Sequence, residues 1–116
     1  SEMCIRDSFK IEHFYEGVAR FNFGDLCNRN LGAEDYLEII KNCKFVTLDN
    51  IPQFNDINSN QQQRFITLID VIYDKNIPLA VTADQNIDQF TSSRLLENPF
   101  KRTISRLYEL TSVKKN

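Results

Sequence analysis

Arg102 and Arg106 are the residues whose type and spacing point most directly to chemistry. Four apart on a helix, they share one face. A guanidinium is always charged and forks onto oxygen, so such a pair suits a polyphosphate. The plainer reading is a surface ion pair, with Glu109 three residues past Arg106 as partner, and such a pair contributes little. Arg64 lies near the start of a predicted helix. It is either an exposed solubilising residue or one that reaches a phosphate held by a neighbouring subunit. Asp49 and Asn50 follow one strand-like run, and Thr82 and Asp84 end another. An acid at one strand end and a polar residue at the next is a layout that binds metal and senses phosphate. Asp and Asn in such places are also ordinary turn formers.

Other chemistries are disfavoured. His13 is the one histidine, and there is no GxSxG, so no nucleophile–base pair appears. Gly17, Gly24 and Gly32 are scattered, and no GxxxxGK[ST] phosphate loop is present. Cys4, Cys27 and Cys43 form no CxxC pair and read as free thiols in a reducing compartment, not as a metal site. With a net charge of −2 there is no electrostatic case for nucleic acid or an anionic membrane surface. No apolar run approaches the roughly 18 to 20 residues that span a bilayer. Hydrophobic residues at 41% and charged residues at 26% are ordinary for a globular domain, and 116 residues are enough for one.

Several elements position these residues. Residues 1–8 carry no periodicity that leads onward, and are set apart as an adapter-like, non-native tail. Position 1 is not Met, so the chain reads as a fragment, with residues 9–116 as its folded part. Phe9 to Tyr15 alternates, with Phe9, Ile11 and His13 on one face and Lys10 and Glu12 on the other. Glu16-Gly17 is a turn signal. Val18 to Phe23 alternates again, so the two runs predict an N-terminal β-hairpin or the edge of a small sheet. Residues 24–32 are irregular, with a short turn around Asp25 to Cys27. Ala33 to Asn42 has helical spacing through Tyr36, Leu37 and Ile40, with Glu34 and Asp35 in the first turn.

Lys44 to Leu48 predicts a buried strand, with Asp49 and Asn50 after it and Pro52 as a stop. Phe65, Leu68, Ile69, Ile72 and Tyr73 make the apolar stripe of a helix over about 58–76. Ser59 is its expected N-cap, with Gln62 closing a capping box. Ile77 to Ala83 predicts a second buried strand. Strand, helix, strand over about 44–83 is a parallel βαβ unit, with strands apolar enough to be covered on both faces. A helical turn near Ile87 to Phe90 and a polar loop follow. A last helix, from about Pro99 to Thr111, buries Phe100, Ile104, Leu107 and Tyr108.

Four blocks resemble one family. VARFNFGDLC (18–27) with LGAEDYLEI (31–39), LDNIP (48–52), RFITLIDVIYD (64–74) and FKRTISRLYEL (100–110) are similar, in order and spacing, to ZapE / Afg-one-like ATPases. The likeness covers about residues 9–112. It implies an α/β fold, part of a three-layer P-loop NTPase of the AAA+ type, with the last helix in a lid-like place. It also implies ATP and Mg2+ as cofactors of the full-length protein. The phosphate loop, metal motif and first sensor of the family lie upstream of the matched region, so Asp49 and Thr82 do not take those roles. RTxSRL resembles a second-sensor helix, which makes Arg106 and Arg102 candidate phosphate contacts, Arg106 ahead. Arg64 is a candidate finger acting in trans, and no residue is a metal ligand. Leu110 stands where the family often has Met, a volume-conserving change. Gln63 precedes Arg64 where the family commonly has a second basic residue.

The function implied is ATP hydrolysis coupled to remodelling of a protein partner, in cell division or in protein quality control. A bacterial cytoplasmic location is expected, since an adapter-like tail suggests environmental sequencing, and the family resemblance implies a mitochondrial one in a eukaryote. Peripheral membrane association and a homo-oligomer go with it. The fragment alone is expected to be inactive. The alternative is a non-enzymatic α/β interaction module that keeps the same blocks for packing and partner binding.

Overall fold

A computed structural model describes residues 3–5, 9–11 and 13–112, the side chains of 3–5, 9 and 10 excepted. β1 (Met3–Ile5) and β2 (Phe9–Ile11) form a small antiparallel pair. β1 therefore includes residues of the segment set apart as adapter-like. The run expected as one strand from Phe9 to Tyr15 is divided, since β3 (His13–Tyr15) belongs to the main sheet. His13 is exposed, whereas Ile11 is buried. The faces expected for Phe9, Lys10 and Glu12 lie outside the described residues.

The main sheet has the order β3-β4-β5-β6, with β4 (Val18–Asn22), β5 (Phe45–Ile51) and β6 (Leu79–Ala83). β3 and β4 are the expected hairpin, antiparallel, and the other two pairings are parallel. The hairpin turns at Glu16 and Gly17, with φ of +49° and +87°. Two positive φ values in a row match the right-handed twist of the flanking strands. Gly17 O then accepts from Lys44 N and Phe45 N, which brings the start of β5 beside β4.

Among the described residues, four helices and one 3-10 turn complete the fold. α1 (Phe23–Cys27) follows β4 directly, capped by Asn22, whose side chain accepts from Gly24 N. α2 (Ala33–Ile40) begins with Gly32 N donating to the Asp35 carboxylate at 2.8 Å. Its buried residues are Tyr36, Ile39 and Ile40, and Leu37 is exposed instead. α3 (Ser59–Asp74) carries the expected stripe. Its N-cap is Asn58 and makes no side-chain cap bond, so the capping box expected from Ser59 and Gln62 does not form. At the other end Asn76 takes φ +54°, Asn76 N donates to Tyr73 O, and Ile77 N to Ile72 O. That left-handed stop satisfies two orphan carbonyls, and Pro78 prevents continuation. A 3-10 turn (Ile87–Gln89) precedes α4 (Glu97–Thr111), whose first turn holds Pro99.

Burial alternates along the central strands. Ala19, Phe21, Val46, Leu48 and Leu79 are buried in one cluster with helix residues. Their neighbours Val18, Arg20, Asn22, Thr47, Asp49 and Thr82 are exposed or half-buried. Successive strand residues point to opposite faces, so the helices cover one face and the other is bare among the described residues. The chain is α/β with a mixed sheet, and the third layer of the expected architecture is not among the described residues. β6 is only half-buried over most of its length, not covered on both faces as its composition suggested.

α4 is packed into the core. Phe100 meets Phe54 edge-on at 5.6 Å and lies 6.4 Å from Phe65, and Phe23 completes the aromatic cluster. Phe100, Thr103, Leu107 and Leu110 are buried, Ile104 is half-buried, and Tyr108 is exposed.

Candidate functional site

α3 and α4 lie side by side, and their seam gathers the arginines. Asp70 of α3 faces α4, where Arg106 Nη1 donates to Asp70 Oδ1. Arg102 Nη2 stands 3.7 Å from Asp70 Oδ2. One carboxylate thus faces two guanidiniums a helical turn apart. Arg106 is also stacked, with its guanidinium carbon 4.6 Å from the centre of the Tyr73 ring. The Tyr73 hydroxyl donates to Glu109 Oε2 at 2.8 Å, and that bond to a carboxylate raises the phenol pKa. The predicted Arg106–Glu109 partnership is therefore replaced: Glu109 takes Tyr73, and Asp70 takes the arginines. Sequence spacing within α4 cannot reveal this, because Asp70 comes from a helix 36 residues away.

The two arginines differ in freedom. The Arg106 side chain is 22% exposed and that of Arg102 is 61% exposed. Arg106 is held by an anion and a ring, whereas Arg102 keeps most of its donors in water. This set fits one arm of a polyphosphate site at Arg102. It offers no seat for a metal ion: the described residues contain no group of three or more His, Cys, Asp or Glu suited to one. Arg64 is elsewhere. Its Nη1 donates to Cys27 O at 3.1 Å, tying α3 to the end of α1.

The strand ends form a second polar group. Asp49 and Asn50 lie within β5, which runs on to Ile51, so the turn reading of this pair is corrected. Arg20 Nε donates to Asp49 Oδ2 at 2.6 Å, and Thr82 Oγ1 to Asp49 Oδ1 at 3.0 Å. Asn50, with φ +63° at a register shift, donates its N–H to Thr82 Oγ1 at 2.9 Å. The Arg20 hydrogen bond leads the causes that lower the Asp49 pKa. The chemistry of this group is a cross-strand clamp: each polar atom named is answered by a neighbour in the sheet. Asp84 is exposed, and its N–H donates to Ile51 O at 3.4 Å.

Amide side chains lace the loops behind these ends. Gln62 is fully buried; its Nε2 donates to Ser92 Oγ at 2.7 Å, and its Oε1 accepts from Ser93 N at 3.0 Å. Gln53 bonds Gln89 O and Thr91 N, and Arg94 closes on Asp56 through both its backbone and its guanidinium. Cys27 and Cys43 are free and buried, and burial pushes their thiols up to about 12 and about 11. Such thiols are inert.

Comparison with known proteins decides the family. The AFG1-like ATPase family model matches residues 3–116. This chain belongs to the AFG1-like ATPase family. It is similar to lactation elevated protein 1 homolog B of Danio rerio, at 38% identity over 72 residues, 62% of this chain and 14% of that protein. It is also similar to the cell division protein ZapE of Escherichia coli K12, at 28% identity over 91 residues, 78% of this chain and 24% of that protein. The chain therefore aligns with about a quarter or less of these relatives. No solved structure matches. AFG1-like membership extends over Asp70, Arg102 and Arg106, and over the first strand pair as well.

Proposed function

We propose that this chain is the downstream part of an AAA+ ATPase that couples ATP hydrolysis to remodelling of a protein partner. The observation that carries the reading is the family match over residues 3–116. In the full-length protein ATP and Mg2+ are held chiefly by upstream residues. The chemistry that ATP and Mg2+ supply is phosphoryl transfer to water. This chain supplies the sheet, the α3–α4 seam and one phosphate-facing guanidinium. Arg102 is the phosphate contact, because its donors are open to water. Arg106 is the pivot that fixes α4 on α3. Arg64, engaged with Cys27 O, is a trans-acting finger only if that bond breaks on assembly. Bacterial cytoplasm, or the mitochondrion of a eukaryote, is the corresponding location. Peripheral association with a membrane and a homo-oligomer of the full-length protein complete the reading.

Substitution in the intact protein tests it. Arg102→Ala is expected to slow phosphate release and weaken nucleotide binding, each by roughly tenfold or more, the scale of one lost charge-assisted contact. Unchanged hydrolysis and unchanged nucleotide affinity would remove Arg102 from the site. The 116-residue chain alone is expected to release no phosphate from ATP, and measurable turnover would place the phosphate-gripping chemistry here. A second reading, a non-enzymatic interaction module, is favoured by the clamped state of Arg106 and by an open groove beside β6. The full-length sequence separates the two, through the presence or absence of an upstream GxxxxGK[ST].

A further inference from the structure

β6 has features that the nucleotide reading leaves unused. It pairs with β5 on one side, and no described residue pairs with it on the other. Pro78 O accepts from Val46 N, and Asp84 N donates to Ile51 O. Backbone groups alternate along a strand, so positions 78, 80, 82 and 84 address β5. Leu79, Val81 and Ala83 then turn their N–H and C=O groups outward. Exposed edges are normally blunted by charge or proline. Within β6 the sequence is LAVTA, with neither.

A groove of about 1500 Å3 runs along this edge, and all five β6 residues line it. Phe45, Ile87, Phe90 and Tyr108 give it apolar walls. Its charged lining residues are Asp88 and Glu109, and no described Lys or Arg lines it. Unpaired backbone, apolar walls and, among the described residues, an acidic rim together specify an occupant.

We propose that this edge takes an extended segment of a partner protein as a fifth strand. That segment is apolar over about five residues, the length of β6, and flanked by Lys or Arg. Backbone hydrogen bonds supply the affinity, and the acidic rim selects the flanks. A second copy of this chain is the poorer occupant, because two β6 edges would bring Asp88 and Glu109 of both copies into one groove. The proposal does not depend on nucleotide.

Two fluorescent peptides with one five-residue alternating Val-Ala core, one flanked by Lys and one by Glu, test this on the intact protein. The Lys-flanked peptide is expected to bind saturably, and the Glu-flanked one roughly tenfold more weakly. Binding is expected to slow hydrogen exchange at Leu79, Val81 and Ala83. Val81→Pro removes an outward N–H and leaves the β5 ladder intact, and is expected to weaken binding by roughly fivefold or more. Asp88→Lys, an exposed change that keeps the test open should the proline variant not fold, is expected to erase the preference for basic flanks. Equal binding of the two peptides, or no binding, overturns the proposal. So does outward-amide protection already present without peptide, which would assign the edge to the rest of the polypeptide or to a second copy.

Discussion

Asp70 carries a load that its partners share unequally. Arg106 is stacked on Tyr73 and half-sequestered, whereas Arg102 touches the same carboxylate at long range from water. Removing Asp70 leaves two like charges facing each other, one of them poorly hydrated. Asp70→Ala is therefore expected to cost about 1–3 kcal/mol. Arg102→Ala is expected to stay within about 0.5 kcal/mol, because exposed ion pairs contribute little. Urea unfolding of both variants checks this, and equal costs would show that Arg102 is part of the fold and not a reserve donor. Asp49 gives a pH-dependent counterpart. Its pKa is lowered in the fold, first by Arg20 and also by Thr82, so the folded state binds its proton less readily than the unfolded chain. Its contribution is present above the unfolded carboxylate pKa and is lost as pH falls through the lowered folded value. Arg20→Ala should flatten the loss of stability between about pH 5 and pH 2 and leave the neutral-pH slope unchanged. Denaturation midpoints across that range test it, and an unaltered acid limb would dissociate Arg20 from Asp49.

At the scale of elements, what the sequence discloses depends on whether the partner is near in the chain. The α3 stripe from Phe65 to Ile72 repeats at helical spacing, and the hairpin announces itself through Glu16-Gly17, so both were legible. Gln62 was not. Its position three residues after Ser59 suggested a capping role, yet it is buried and bonds a loop 30 residues on. A polar residue on the inward face of a helix is the available signal, and it names no partner. β5 outran its predicted end for a similar reason: Asp49 and Asn50 look like turn residues until Arg20 and Thr82 arrive from neighbouring strands. The α3–α4 seam was half legible, since the spacing of Arg102 and Arg106 placed them together and only the fold supplies Asp70. Gln62→Met keeps the shape and removes both polar ends, leaving Ser93 N–H buried without this acceptor. A cost of about 1–3 kcal/mol is expected. Thermal unfolding measures it, and a neutral result would mean that water replaces the glutamine.

For the whole molecule, the bare face of the sheet is the feature that needs a cause. Parallel strands occur almost only with both faces covered, because their crossovers put helices on each side. Here β4, β5 and β6 are parallel, yet one face presents Val18, Arg20, Thr47 and Thr82 with no described helix above them. The chain aligns with 14% and 24% of the two relatives, so most of each relative has no counterpart among these residues. We propose that further polypeptide, of the kind the relatives carry beyond the aligned part, supplies the missing layer, which would account for both facts. Val18→Cys, with Cys4 replaced by Ser, makes this measurable, since Cys27 and Cys43 are buried and inert. Val18 is exposed in this chain, so the new thiol should react quickly with a disulfide reagent. In the intact polypeptide its rate should fall by roughly tenfold or more, as access sets thiol reactivity. Equal rates would mean that the face stays bare in the complete protein, and the sheet would then be a two-layer structure that presents Arg20 and Asp49 to a partner.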